Sequence, residues 1–349
     1  MNTSHPTILV TGGSGFVGRA LLHELAGPDA LFAPGELRVF DKAPLAADLH
    51  SLSLPLTFIE GDIRDQTAIT KACENVDIVI HLASLVDWGT HPTETVFDHN
   101  VTGTRCVIDA CRSCGVGVLV YTSSLDAIFT GKPIVDADES YPYPAKFVST
   151  YGESKARAEQ LVQAANSDSL KTAVLRPSGV FGEADPYHIP SLVKMARSGL
   201  FCKIGNGKSR CMHIYVGNVA HAHLLCAKAL YTGNTAPAGQ IYFLIDHPPE
   251  NFFDTLTPII ERAGIRVRPK NLWLPRWLLT PVALIAEGTA FLLRPFVKLH
   301  PGVSRFALAY ICNDFILKSD KATQDFGFTP KYTKEEAVAR TAAWLKAHG

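Results

Sequence analysis

The sequence lacks any excess of charge, since its 349 residues carry 33 basic and 33 acidic side chains, so nothing in the composition draws it towards nucleic acid. It also lacks the paired cysteines of a zinc site. Among eight cysteines only Cys111 and Cys114 stand close, with no second pair to complete a tetrahedron, which leaves reduced thiols and no metal. No basic and then apolar leader opens the chain. Met1-Asn2-Thr3-Ser4-His5-Pro6 passes almost directly into a strand, so a cytoplasmic protein is expected. No apolar run approaches the roughly 20 residues that span a bilayer. In the most apolar stretch the longest charge-free run is Trp277 to Ala286, and Glu287 and Arg294 interrupt the remainder. With 47% apolar residues, the composition is that of a soluble globular enzyme. The length favours a cofactor-binding core, residues 1–176, plus a smaller substrate-binding part, 177–349, some of which returns to the core sheet.

The stretch Val10-Thr11-Gly12-Gly13-Ser14-Gly15-Phe16-Val17-Gly18 joins an apolar strand (Ile8 to Val10) to a helix (Arg19 to Ala26). This is how a nucleotide pyrophosphate is held. Gly12 takes a backbone angle closed to other residues, Gly15 lets the chain approach the phosphates, and Gly18 lets helix lie on strand. The free N–H groups of the helix start then face the phosphate charge. A bare glycine spacing is equally an ordinary turn; the flanking strand and helix favour the dinucleotide.

Apolar runs then alternate with helical patterns. Leu37 to Phe40 reads as strand two and ends in Asp41, an acid placed to accept both hydroxyls of the adenine ribose, which favours NAD over NADP. The connection exceeds the usual spacing of about 20 residues, so Gly27 to Gly35 is an insertion. Lys42 is a cation that a 2′-phosphate would welcome, although Asp41 repels one. Leu56 to Glu60 is strand three, followed by Asp62, either an adenine ligand or a helix N-cap. Strand four, Val76 to Ile80, runs into His81-Leu82-Ala83-Ser84, small residues over which a cofactor crosses. Asn100 to Cys114 reads as a helix, Val116 to Tyr121 as strand five and Thr172 to Leu175 as strand six. Repeated strand–helix units predict an α/β Rossmann-type, doubly wound parallel sheet with a smaller, mostly helical C-terminal part.

Strand five ends in Thr122-Ser123-Ser124, and a later helix carries Tyr151 and Lys155, four apart on one face. An ammonium beside a phenol stabilises the phenolate and brings its pKa of about 10 towards neutrality. Tyr151 could then take the proton of an alcohol while hydride leaves the same carbon. Such a pair also arises by chance on amphipathic helices; the glycine turn and the strand-five serine make it specific.

At these residues the chain resembles the extended short-chain dehydrogenase/reductase family, in the order T-G-G-S-G-F-V-G, F-D-K, G-D-I, Y-T-S-S, Y-G-E-S-K and L-R-P-S-G-V-F-G. More narrowly it is similar to the 3β-hydroxysteroid dehydrogenase branch, through Tyr215 to His223, Gly239 to Phe243, Phe291 to Pro295 and Tyr332 to Ala337. Ser191 to Lys194 and Ile204 to Lys208 look closer to the sterol-4α-carboxylate 3-dehydrogenases. The resemblance implies Tyr151 as acid/base, Lys155 as its pKa modifier and ribose ligand, and Ser124, or the adjacent Ser123, as partner of the substrate oxygen. It places Gly12, Gly15, Phe16, Val17, Gly18 and Asp41 on NAD, with Asp62, Ile63, Ala83 and Lys155 completing the nucleotide site. Some members also shift a ring double bond with residues after Gly239-Gln240, where Tyr242 and Asp246 stand. His247 replaces the second acid expected there, which argues against isomerase activity.

Past Arg176-Pro177 the alternation is lost. Gly179 to Asp185 is expected over the nicotinamide and Lys203 to Tyr215 over the substrate, where Arg210 and His213 are either partners of a 4-carboxylate or solvated charges. Trp273 to Phe296 reads as a pocket cap, a helix in the membrane interface, or a homodimer contact. Together these features point to an NAD-dependent dehydrogenase acting on the 3β-hydroxyl of an apolar steroid or sterol, a 4-carboxysterol with loss of carbon dioxide included. Reduction of a non-steroidal β-keto acid or ketone is the alternative. A non-catalytic nucleotide binder would need no poised phenol, and a sugar-nucleotide epimerase would need a polar substrate lobe.

Overall fold

The computed structural model describes residues 5–293 and 304–349. Met1 to Ser4 and the Arg294-Pro295-Phe296 end of the apolar stretch lie outside the described residues. Seven strands, β1 (Thr7–Thr11), β2 (Glu36–Asp41), β3 (Leu56–Glu60), β4 (Ile78–His81), β5 (Val118–Thr122), β6 (Lys171–Pro177) and β7 (Gln240–Leu244), pair in the order β7-β6-β5-β4-β1-β2-β3. All pairings are parallel. The strand order reverses between β1 and β4, and the crevice beyond their carboxyl ends is where such sheets hold ligands.

Successive side chains of a strand face opposite ways, and each face is covered by helices. Ile8 and Val10 pack with α1 (Phe16–Ala26), whereas Leu9 packs with α2 (Gln66–Cys73), α3 (Gly103–Cys114) and α4 (Thr150–Ala165). The second half adds α5 (His188–Arg197), α6 (Val216–Tyr231), α7 (Phe252–Arg262), α8 (Arg276–Leu293), α9 (Arg305–Cys312) and α10 (Lys334–His348). Of these, α6 lies beside α1 on the sheet. A separate core of Phe181, Phe201, Phe243, Phe253 and Phe315 unites α5, α7 and α10.

Three local expectations change. Helix α1 starts at Phe16, because Gly15 already serves as its N-cap. The helix expected from Asn100 is broken: Asp98–Thr102 forms a π-helical turn before α3. Asp65, not Asp62, caps α2, accepting the amides of Thr67 and Ala68 at 3.0 Å. Among the described residues, no helix is long and apolar enough to cross a membrane.

Candidate active site

A cavity of about 1080 Å³ opens beyond the strand ends, and its walls divide into a glycine-lined polar half and an apolar half. The polar half starts at Gly12, whose φ of 74° is left-handed; a Cβ there would stand 2.6 Å from the Ala83 amide nitrogen. Gly12 donates its amide to the Phe40 carbonyl at 2.9 Å, so β2 holds the turn. A Cβ on Gly18 would strike the Gly12 carbonyl at 2.4 Å, which is why helix and strand need glycine at their closest approach. No side chain caps α1, and its first amides are left for an anion. At the end of β2 the Asp41 carboxylate is fixed by the amides of Ser14 at 3.0 Å and Ala43 at 2.9 Å. The Arg64 guanidinium holds Asp62 down at a pKa of about 2, against the opposing effect of burial. Phe16, Val17, Asp62, Ile63 and Ala83 all line this half. Lys42 lies there too, 3.4 Å from His99 Nε2. A cradle that any Cβ would fill, an uncapped helix start and an acid at the second strand end fit a dinucleotide.

Where the halves meet stand Ser123, Ser124, Tyr151 and Lys155. Ser149 caps α4 by accepting the Gly152 amide at 3.0 Å. A Cβ on Gly152 would lie 2.5 Å from the Asp126 carbonyl, so the first turn of α4 rests on the serine turn of β5. Lys155 is buried and donates to the Thr122 carbonyl at 2.6 Å, with Nζ 4.4 Å from the Tyr121 ring centre. Burial lowers its pKa to about 7, with Glu159 opposing. Burial, then Asp126 and Tyr187, push the Tyr151 phenol well above its ordinary value; the hydroxyls of Ser124 and Ser84 pull the other way. This differs from the expectation that Lys155 draws the phenol towards neutrality, because burial disfavours both charges and the ammonium is turned to a carbonyl. Ser124 Oγ accepts the Asp126 amide at 3.1 Å, whereas the Ser123 hydroxyl is buried without a partner.

Asn100 is a site residue that sequence reasoning passed over. From the π-turn it donates to the Leu85 carbonyl at 3.0 Å and to the Ser154 hydroxyl at 2.9 Å, and accepts the Leu85 amide at 2.7 Å. It thereby locks the loop after β4 to α4. A π-turn beside a functional site was its one local signal. His81 is structural: it accepts from Thr11 and donates to Thr104, while burial, then Lys155, lowers its pKa to about 3.

The apolar half is lined by Leu192, Met195, Phe252, Phe306, Tyr310 and Ile311, with Trp88 and Tyr187 meeting edge to face at 5.2 Å. Of Gly179 to Asp185 only Gly179 and Val180 lie on the wall, and of Lys203 to Tyr215 only Ile204 does. Arg210 is exposed away from the cavity, and His213 is buried behind it, its pKa driven down by burial and by His188, His247 and Lys334. Neither can hold a substrate carboxylate. Tyr242 donates to Asp325 at 2.6 Å, and Asp246 accepts the Tyr215 amide at 2.8 Å; both are outside the cavity. The cap expected of Trp273 to Phe296 is instead supplied by α9, since none of the described α8 residues lines the wall.

A family model described as "3-beta hydroxysteroid dehydrogenase/isomerase family" matches residues 9–276. The 3 beta-hydroxysteroid dehydrogenase type 7 of Homo sapiens is 34% identical, over 97% of this chain and 95% of that protein. The decarboxylating sterol-4-alpha-carboxylate 3-dehydrogenase erg26 of Schizosaccharomyces pombe is 33% identical, over 95% and 96%. Among solved structures, that of gox2253 superposes with a TM-score of 0.74 at 28% identity, over 99% of both chains. A dTDP-glucose 4,6-dehydratase from Streptomyces venezuelae with NAD bound shares the fold, with a TM-score of 0.72 at 21% identity over 98% and 97%.

Proposed function

The chain belongs to the 3-beta hydroxysteroid dehydrogenase/isomerase family, and from that premise we propose that it is an NAD-dependent oxidoreductase converting the 3β-hydroxyl of a steroid or sterol to the 3-ketone. The observation that carries this reading is the meeting, in one cavity, of the glycine turn, the Ser124, Tyr151 and Lys155 side chains and a wall of apolar residues. Gly12, Gly15, Gly18 and Asp41 hold the dinucleotide, with Phe16, Val17, Asp62, Ile63 and Ala83 beside them. When bound, NAD supplies the carbon that accepts hydride and a ring charge that favours phenolate. Ser124 holds the substrate oxygen, Tyr151 Oη takes its proton, and Lys155, fixed on the Thr122 carbonyl, would hold the ribose of a bound dinucleotide. An apolar wall excludes water and disfavours a sugar nucleotide.

Helix α8 turns Trp277 and Ile285 outwards, 74% and 70% exposed. This supports contact of that face with a lipid surface from which an apolar substrate is drawn. The reading is tested by following NADH absorbance with NAD and a panel of 3β-hydroxysteroids. Turnover of sugar nucleotides, or of ketones only with NADPH, would sink it.

A further inference from the structure

The formal charge of the chain is balanced, but its cations are unevenly spread along it. Residues 191–210 hold five lysines and arginines and no acid, and residues 262–286 hold five more, again with no acid. These two segments are far apart in sequence and meet in the fold. Lys203–Ile204 pairs in parallel with Trp273–Leu274, and the Phe201 amide extends this ribbon by donating to the Arg268 carbonyl at 2.9 Å. The ribbon leads directly into α8 at Arg276. Lys194, Lys208, Arg266, Arg268 and Arg276 are all exposed, and Lys203 Nζ lies 5.3 Å from the Trp273 ring centre. The acids that pair here are Glu261, with Lys270 at 3.3 Å, and Glu287, with Arg305 at 2.7 Å. Lys194, Lys208, Arg266 and Arg268 have no ion-pair partner among the described residues.

This basic ribbon borders two apolar features. One is the outward face of α8, where Val282 is 51% exposed beside Trp277 and Ile285, together with Leu200, 57% exposed in the turn between α5 and the ribbon. The other is the cavity. Ile204 of the ribbon and Lys194 of α5 both stand on its wall, so the cations reach the rim through which an apolar molecule enters. Aliphatic and indole side chains suit the boundary of the acyl chains, and unpaired lysines and arginines beside them suit headgroups that carry negative charge. A neutral bilayer would use only the first set. A nucleic acid would use only the second.

We propose that the ribbon and α8 together dock on an anionic lipid surface, with the cations selecting negatively charged headgroups and turning the cavity rim towards the bilayer. The inference rests on the reading of α8 as a lipid-contact face and adds the charge of the lipid that it meets.

The test is co-sedimentation of the whole chain with vesicles of phosphatidylcholine alone and with vesicles in which about a third of the lipid is phosphatidylserine. Binding to the anionic vesicles is expected to be at least about 10-fold tighter, and to fall towards the neutral level when salt is raised from roughly 0.05 M to 0.5 M. Replacing Lys208, Arg266 and Arg268 together by glutamine should remove most of that preference. Replacing the equally exposed Lys71, Arg105 and Arg112 of α2 and α3 removes the same net charge and should leave it in place. NADH affinity, unchanged in both triple variants, shows that each is folded. Equal binding of the unaltered protein to the two kinds of vesicle overturns this inference alone. So does an equal loss in both triple variants, or a preference that survives loss of Lys208, Arg266 and Arg268. Retention by duplex DNA as strong as by the anionic vesicles would assign the face to polyanions in general and overturn it too. Absence of binding to either vesicle overturns the lipid-contact reading of α8 as well.

Discussion

Lys155 and Thr122 are joined by a 2.6 Å hydrogen bond from a buried ammonium to a backbone carbonyl. Burial makes that charge costly: the folded pKa is about 7 against 10.5 for the free side chain. The unfolded chain therefore binds more protons in the window between those values, and stability rises with pH across it. Lys155→Met should stabilise the protein by on the order of a few kcal/mol below about pH 7, with the gain fading towards pH 10.5, while turnover is lost. Urea unfolding across that range checks the sign; a variant less stable at every pH would contradict it.

Tyr151→Phe keeps the ring and removes the oxygen that exchanges the proton. Turnover should fall by about 100- to 10,000-fold. NADH titration should give nearly the parent affinity. A near-normal rate would remove Tyr151 from the chemistry.

Asn100→Ala breaks four hydrogen bonds that tie Ser84 and Leu85 to Ser154. Leaving buried partners unmatched costs roughly 1–3 kcal/mol each, and the loop after β4 loses its anchor to the catalytic helix. Lower denaturation midpoints and a lower kcat are expected together. Unchanged stability would show that another group takes over these bonds.

How much of the site was legible in the sequence depended on how far apart the partners stand. Gly12, Gly15, Gly18 and Asp41 were readable because a left-handed turn, a close helix start and a strand-end acid act within one short unit, whose period the chain displays. Tyr151 and Lys155 were readable as i and i+4 on a helix. Asn100 was not, because its partners Leu85 and Ser154 are 15 and 54 positions away. For Arg210 and His213 two alternatives stood open, because a basic side chain near a substrate segment looks the same whether it faces the cavity, solvent or core; Arg210 takes the solvated one and His213 is in the core. The cap was assigned to α8 from hydropathy, yet apolar residues on a helix do not say which surface they cover; α9 closes the cavity instead.

Asp41→Ala should weaken NAD binding and let NADP compete, since the carboxylate that repels a 2′-phosphate is gone while Lys42 stays. Competitive titration of the two cofactors measures this. A parent protein that already prefers NADP would refute the assignment.

Replacing Trp277 and Leu278 by serine removes two exposed apolar side chains. Liposome co-sedimentation should drop and KM for a membrane-borne sterol rise, at roughly 25 cal/mol per Å² of apolar area lost. NADH affinity should hold. If sizing shows a dimer that dissolves in this variant while liposome binding is unaffected, the face joins two copies of the chain instead.

Thr122 has a second grip besides Lys155. Its hydroxyl donates to His223 Nε2 at 2.6 Å, and His223 donates in turn to the Val219 carbonyl at 2.7 Å. Because α6 and α4 cover opposite faces of the sheet, the end of β5 works as a rivet through it, headed on one side by a neutral histidine and on the other by the catalytic lysine. Burial holds His223 at a pKa of about 4, so the far head stays uncharged under neutral conditions and the rivet stays set. A substitution at His223, on the side away from the cavity, would loosen the seat from which Lys155 reaches its substrates.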